Sequence, residues 1–296
     1  MTRVIVVAKQ SLYGRYVEEE NDPHVRLLVK RGDPLVKRWH RSHEEHLRTL
    51  EEVMRMLGRT GVHTALVEHP SSEFDTADAN LIVTVGGDGT LLAASHNVAG
   101  VPLLGVNSAP SSSLGFFCAA HRDTAARLLT TALAGKVRSL VLTRMKVMVN
   151  GAIRSRRVLN EALFSHCSPA ATTRYIIQGG GVREEQRSSG FWIGPAAGST
   201  GAQHSAGGRI LPLDSDQLQL VVREPYTSFG RRYQLLRMTI EPNHRITVRS
   251  STEDARLFLD GPYLSLHIRL ADTLSFSTSD QPLTVLGLKR SRRPRL

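Results

Sequence analysis

Residues 81–90, Leu-Ile-Val-Thr-Val-Gly-Gly-Asp-Gly-Thr, constrain this chain more than any other stretch. Residues 81–85 are an unbroken apolar and β-branched run. That is the pattern of a strand buried on both faces, and such strands belong to parallel sheets covered by helices. The run stops at three glycines around one acid, and 91–98 then reads as a helix. Strand, tight turn and helix in that order are one βα unit of an open sheet. The same alternation recurs on either side: strands are expected at 4–8, 62–67 and 101–106, and helices at 39–57 and 123–133. In the first of these helices Leu47, Leu50, Val53, Met54 and Leu57 fall at helical spacing. Residues 1–140 are therefore predicted to form an α/β domain with a parallel, doubly wound sheet. The stretch 9–34, charged and broken by Gly14, Pro23, Gly32 and Pro34, reads as a long loop or weakly ordered excursion.

The pattern changes near residue 140. Asn150-Gly151 is a strong hairpin signal between apolar stretches at 140–149 and 152–158. Short β stretches continue at 160–164, 174–177, 191–193, 218–222, 235–240, 245–248 and 264–270, with no long helical period among them. A mostly β second domain is expected over 141–275, followed by a C-terminal segment, 276–296, that ends in a basic tail.

Composition narrows the classes. The 296 residues are 41% hydrophobic, which is ample for a core, so disordered and fibrous classes are excluded. No window approaches the apolar length of a membrane helix, and the apolar run before Lys9 is too short for a signal peptide. Two cysteines, Cys118 and Cys167, neither staple a chain of this size nor show metal-site spacing. They read as small core residues in a reducing cytoplasm. The net charge of +11 resides partly in the tail, and aromatic residues are only 5%, so no nucleic-acid partner is expected. A basic surface suits an anionic small substrate. His43-Glu44-Glu45-His46 lacks the spacing of a zinc protease helix, and His40, His43 and His46 read as a solvated or half-buried helix face.

Four clusters carry candidate chemistry. At 86–90, Gly86, Gly87 and Gly89 allow close backbone approach, and the amides before Thr90 and the following helix suit a phosphate. Asp88 is odd in a plain phosphate cradle. It makes sense as a group that binds a metal or takes a proton from an attacking hydroxyl, or as a helix cap in a tight turn. Asn107 opens a second cluster, 107–117, again at a strand end. Asn160 and Glu161 form a polar pair inside an apolar β stretch, suited to a purine edge or ribose hydroxyls, or to a buried hydrogen-bonded pair. Gly198, Ser199 and Thr200 sit in a Gly/Ser/Thr-rich loop that runs on to Ser205-Ala206-Gly207-Gly208. The chain lacks a P-loop, a Rossmann glycine fingerprint and a nucleophile elbow.

Taken together and in this order, these clusters resemble the NAD kinase family. The match consists of Gly-Gly-Asp-Gly-Thr at 86–90, Asn107 through Leu114-Gly115-Phe116-Phe117, Leu-Asn-Glu at 159–161, Gly-Ser-Thr at 198–200 with Ser-Ala-Gly-Gly at 205–208, and Asp260-Gly261. The glycine motif alone also resembles lipid and sphingoid-base kinases of the same superfamily. A non-catalytic protein that senses NAD(P) is the other alternative. The resemblance implies an α/β domain followed by a β-sandwich-like domain, with NAD(H) bound between them. It further implies ATP as phosphoryl donor, Mg²⁺ or another divalent cation carried by the nucleotide with no metal site in the chain, and a homodimer or homotetramer without membrane attachment. It gives Asp88 the role of catalytic base. It gives Gly86, Gly87, Gly89 and Thr90 to the phosphates, and Asn107, Asn160, Glu161, Gly198, Ser199 and Thr200 to NAD. Two positions depart from the family pattern: Ser189 stands where an Asp is usual and Ala202 where a Tyr is usual. Ala196-Ala197-Gly-Ser-Thr is similar to the branch of plant NADH kinases and animal mitochondrial NAD kinases.

Overall fold

The computed structural model describes residues 2–227 and 232–290. The basic tail lies outside the described residues from 291 onward. The described residues divide into two units: one holds residues 2–140 and 284–290, the other the described residues between Val141 and Leu283. Each unit has a hydrophobic core of its own.

The first unit is built on a seven-stranded sheet. Its order is β2 (His63–Val67), β1 (Arg3–Ala8), β3 (Leu81–Gly86), β4 (Leu103–Asn107), β19 (Leu283–Leu286) and β6 (Ser139–Leu142), with β5 (Cys118–His121) paired to β4. The strands β1, β2, β3, β4, β5 and β19 run parallel. Helices are α1 (Pro23–Lys30), α2 (Pro34–Gly58), α3 (Asp88–Ser95) and α4 (Arg122–Leu133). Strands β3 and β4 are buried along their whole length, as the unbroken apolar run requires. Successive side chains alternate between faces. Leu104 and Val106 of β4 join the core with Val53 and Leu57 of α2 and with Ala125 and Leu129 of α4. Gly105, pointing the other way, lies against Leu91 of α3. Helices thus cover both faces.

Residues 9–34, expected as a loop, are ordered instead. They form a short helical turn, Gly14–Glu19, and then α1. Helix α2 starts at Pro34, five residues earlier than the apolar spacing indicated. The reason is capping. The Asp22 side chain accepts the Val25 N–H and the Asp33 side chain accepts the Leu35 N–H, both at 2.8 Å. Each Asp precedes a proline at the first helical position, where a missing N–H costs nothing. The prolines that read as breaks mark helix starts.

The second unit is a pair of six-stranded antiparallel sheets. One has the order β11 (Val182–Ser188), β10 (Thr173–Gly179), β15 (Arg245–Ser250), β18 (Thr273–Thr278), β7 (Met145–Val149) and β8 (Ala152–Val158). The other has β14 (Arg237–Ile240), β13 (Leu218–Val222), β12 (Phe191–Pro195), β9 (Ala162–His166), β16 (Ala255–Leu259) and β17 (Leu264–Ile268). Their inner faces share one core. Phe191 of β12 joins them at its centre, with ring centroids 5.4 Å from Phe164, 5.3 Å from Tyr175 and 6.0 Å from Phe276. The β7–β8 hairpin turns at Asn150 (φ 51°) and Gly151 (φ 79°), as that dipeptide predicts.

The stretch 140–149 is not one strand. It breaks between β6 and β7 at the fully buried Arg144, whose Nε donates to the Gln281 carbonyl at 2.6 Å. Strands β5, β11, β16, β18 and β19 were not expected, and residues 276–286 complete β18 and then supply β19. No helix among the described residues is long and apolar enough to cross a membrane.

Candidate active site

In the first unit the glycine turn stands where the βα unit predicts, at the carboxyl end of β3. Gly87 is the N-cap of α3, with φ −111° and ψ −162°, and Asp88 opens the first helical turn. The first amides of a helix have no intrahelical acceptor and bind anions readily. Gly86 is required by contact, and Gly87 is packed against a neighbouring hydroxyl. A Cβ on Gly86 would collide with the Thr90 side chain, and one on Gly87 with the Ser113 hydroxyl. Gly89 faces open space.

Asp88 does something its position in sequence did not announce. Its Oδ2 accepts the Phe116 N–H and its Oδ1 the Phe117 N–H, each at 2.8 Å. The carboxylate therefore anchors the far end of the loop 107–117 to the glycine turn. The near end is held by Asn107, which is buried. Its Nδ2 donates to the Ser113 carbonyl at 3.0 Å, and its Oδ1 accepts the Ala109 N–H at 3.2 Å. Gly115 takes φ 61° against the Asn107 side chain. Asn107 thus holds the loop through one donor and one acceptor position of its amide.

In the second unit, Asn160 and Glu161 lie in the turn between β8 and β9, not within a strand. Asp260 shapes that turn. Its Oδ1 accepts the Asn160 N–H at 2.6 Å and the Glu161 N–H at 3.1 Å, and its Oδ2 accepts the Leu159 N–H at 2.8 Å. The Gly/Ser/Thr-rich loop closes on the same turn. A Cβ on Gly198 or Gly194 would collide with the Asn160 carbonyl, and Gln203 Nε2 donates to that carbonyl at 3.1 Å. The Asn160 Oδ1 is buried and has no partner. An unmet buried acceptor is costly and rare, so it marks a place for a donor. Ser199 is fully buried, and its hydroxyl donates to the Ala196 carbonyl at 2.7 Å and accepts the Leu211 N–H at 3.0 Å. Like Asn107, it holds a loop. Thr200 is half-buried beside it.

Burial, with the Asp260 carboxylate adding to it, pushes the Glu161 carboxyl up to about 7. Glu161 consequently takes up or gives up a proton near neutrality.

The structure thus assembles two groups. Gly86, Gly87, Asp88, Gly89, Thr90 and Asn107 come together in the first unit. Asn160, Glu161, Gly198, Ser199 and Thr200 come together in the second. Sequence reasoning missed the part played by Asp260 and Gln203. The signal was the Asp260-Gly261 pair, whose φ values of 50° and 114° place it in a turn that few other residues tolerate.

Two readings of side chains outside these groups are corrected. His43 and His46 are buried, with 7% and 3% exposure. Cys118 is a core residue, but Cys167 is partly exposed, and its thiol donates to Asp254 Oδ1 at 2.9 Å. Among the described residues, no group of three or more His, Cys, Asp and Glu side chains could hold a metal ion.

Residues 41–137 match the ATP-NAD kinase N-terminal domain. The chain is 32% identical over 260 residues to the probable NADH kinase of Oryza sativa subsp. japonica, covering 80% of each chain. It is 31% identical over 265 residues to the NADH kinase of Arabidopsis thaliana, covering 80% of this chain and 82% of that one. Among solved structures, the NAD kinase from Archaeoglobus fulgidus in complex with ATP aligns with a TM-score of 0.67 at 21% identity, over 99% of this chain and 96% of that one. The yeast NADH kinase complexed with NADH aligns with a TM-score of 0.72 at 12% identity, over 98% and 84%. At these identities the structures speak for the fold, and the plant sequences speak for kinship.

Proposed function

The chain belongs to the NAD kinase family, and from that premise we propose that it transfers the γ-phosphoryl group of ATP to the adenosine-ribose 2′-hydroxyl of NAD(H), giving NADP(H). One observation carries the assignment of roles: a carboxylate, Asp88, stands in a glycine turn at the start of a helix with both oxygens oriented by backbone amides. Phosphoryl transfer leaves little covalent work for the protein, so orientation and charge neutralisation supply most of the rate. The turn and the first amides of α3 hold phosphate oxygens. An ionised carboxylate has about four lone-pair positions, so two accepted N–H groups leave Asp88 able to accept a hydrogen bond from a hydroxyl and then its proton. The divalent cation enters as part of the nucleotide substrate, held by phosphate oxygens rather than by a cage of side chains.

Asn160 and Glu161 take the nucleoside of NAD(H). The buried Asn160 Oδ1 accepts a donor from it, and Asp260, Gln203 and Gly198 hold the main chain that presents both residues. A cytoplasmic location and a homodimer or homotetramer complete this reading. Purified protein given ATP, Mg²⁺ and either NAD⁺ or NADH is expected to form NADP⁺ or NADPH. Absence of both products overturns the assignment.

A further inference from the structure

Helix α2 has a stripe that changes character along its length. Val53, Met56 and Leu57 are buried in the core beneath the sheet. Ser42, Glu45, His46 and Thr49 continue the same face toward the helix start at positions i, i+3, i+4 and i+7, and all four are polar. A helix packed on a sheet ordinarily keeps this stripe apolar. The change comes where α2 passes the carboxyl ends of β1, β3 and β4.

Lys9 is the first residue beyond β1. Its N–H donates to the Val85 carbonyl at 2.9 Å, which sets it beside β3 one residue before the glycine turn. Its Nζ donates to Ser42 Oγ at 3.4 Å, and Ser42 Oγ in turn meets Ser112 Oγ at 2.9 Å. The next residue, Ser113, is the one that packs on Gly87. From the other direction, Thr49 Oγ1 donates to the Ser108 carbonyl at 3.1 Å while the Ser108 N–H donates to the Gly86 carbonyl at 3.0 Å. Two short chains of contacts therefore tie the Lys9 side of α2 to Gly86 and Gly87.

Bonding capacity here is left unused. An ammonium has three donors. Among the described residues the Lys9 ammonium has one hydrogen-bond partner, and that bond is long. The Ser108 hydroxyl, at 1% exposure, and the His46 Nδ1, at 3%, have none. Glu45 is the one carboxylate in the cluster, and it is turned to the Ser111 hydroxyl at 2.7 Å. Burial draws the Lys9 ammonium below its usual range and Glu45 offsets part of this. A half-buried cation with spare donors, next to a phosphate-binding turn, is an incomplete anion site.

We propose that Lys9, with the hydroxyl of Ser108, binds the terminal phosphate of the nucleotide held at the glycine turn, making it a substrate-contacting residue outside the family motifs. The identity of that nucleotide rests on the kinase reading above; the anion site itself does not. The test uses the full chain and inorganic triphosphate as the probe, titrated by calorimetry in parallel with ATP and NAD⁺. Lys9→Met keeps the stem and removes the charge. It is expected to weaken triphosphate and ATP by about tenfold or more, the scale of one lost charged hydrogen bond, with NAD⁺ binding unchanged. Lys9→Arg is expected to restore most of the loss. Ser108→Ala, a smaller change that keeps the fold if Lys9→Met does not, is expected to weaken triphosphate several-fold. Wild-type triphosphate affinity in Lys9→Met or in Ser108→Ala overturns the proposal. So does an equal loss of triphosphate and NAD⁺ that Arg fails to rescue, which would make Lys9 a latch for the 108–113 loop. Triphosphate binding needs no turnover, so a chain that binds it through Lys9 yet forms no NADP(H) would refute the kinase reading and leave the anion site standing.

Discussion

Asp260 Oδ1 accepts the backbone N–H of Asn160 at 2.6 Å, so a residue 100 positions downstream dictates how the polar pair at 160–161 is presented. Three main-chain donors converge on this one carboxylate. Replacing Asp260 by Asn puts an amide N–H against at least one of them. A buried donor left unmet costs about 1–3 kcal/mol. Asp260→Asn is therefore expected to lower the melting temperature and to weaken NAD(H) in calorimetry while sparing ATP. Unchanged NAD(H) affinity would detach this turn from the nucleoside.

Asp88→Asn is expected to reduce kcat by two or more orders of magnitude, the rough worth of a positioned base. It is not a silent change. An amide cannot accept at both of the positions that Phe116 and Phe117 donate to, so hydrogen exchange at these two amides should speed up in the same variant. Asp88→Glu, which keeps the charge and shifts the oxygens, separates the two effects. Activity above a tenth of wild type in Asp88→Asn would remove the base role.

The two units are expected to answer pH in opposite directions. Glu161 is held up at about 7 against an ordinary 4.5, chiefly by burial. Its protonated form is favoured by folding, so its contribution is complete below pH 4.5 and is lost as pH rises to 7, on the order of 3 kcal/mol in all. His46 is held down at about 4 against 6.5 by burial, then by the charges of Lys9 and His43. Its neutral form is favoured, so its contribution is complete above pH 6.5 and is lost as pH falls to 4, of similar size. Hydrogen exchange between pH 4.5 and 6.5 should show protection in residues 4–107 rising with pH and protection in residues 145–278 falling. Glu161→Gln should flatten the second trend and leave the first. A common direction in both units would contradict these environments.

Gly198→Ala is expected to abolish NAD(H) binding, because its Cβ would collide with the Asn160 main chain, which has no freedom to yield. Gly89→Ala, with open space around the new methyl group, should cost far less stability. Thermal melts of the two variants side by side give the comparison, and equal losses would mean that the 194–201 loop is not packed as described.

The departures from the family pattern offer a gain-of-function test. Ser189 and Ala202 stand where the resemblance leads one to expect a carboxylate and a ring. A lost ring is worth about 1 kcal/mol of packing. Ser189→Asp combined with Ala202→Tyr is expected to lower the KM for NAD⁺, and the wild-type chain is expected to use NADH measurably. Steady-state kinetics with both redox forms decide this, and an unchanged double variant would sever these positions from the pocket.

Local order along the chain determined a good deal. The β-branched run at 81–85 could only be a strand buried on both faces, and Asn150-Gly151 could only turn back on itself, because each depends on a few adjacent residues. The glycine turn is legible for the same reason. Capping was equally local but concealed, since Asp22-Pro23 and Asp33-Pro34 read as breaks until helices are seen to start there. Tertiary structure alone decided what Asp88, Asn107, Ser199 and Asp260 do. Asp88 and Asp260 spend their carboxylates on backbone groups that no sequence spacing identifies as neighbours, 28 residues away for Asp88 and about a hundred for Asp260, whereas Asn107 and Ser199 hold backbone groups of their own loops. It also decided that strand β19 returns to the first sheet, and that a polar stripe on α2 comes to rest beside Lys9. A side chain's chemistry is written in the sequence. Whether that chemistry is spent inside the fold or left for a ligand depends on which distant donors and acceptors the packing brings within 3 Å of it, roughly the reach of a hydrogen bond.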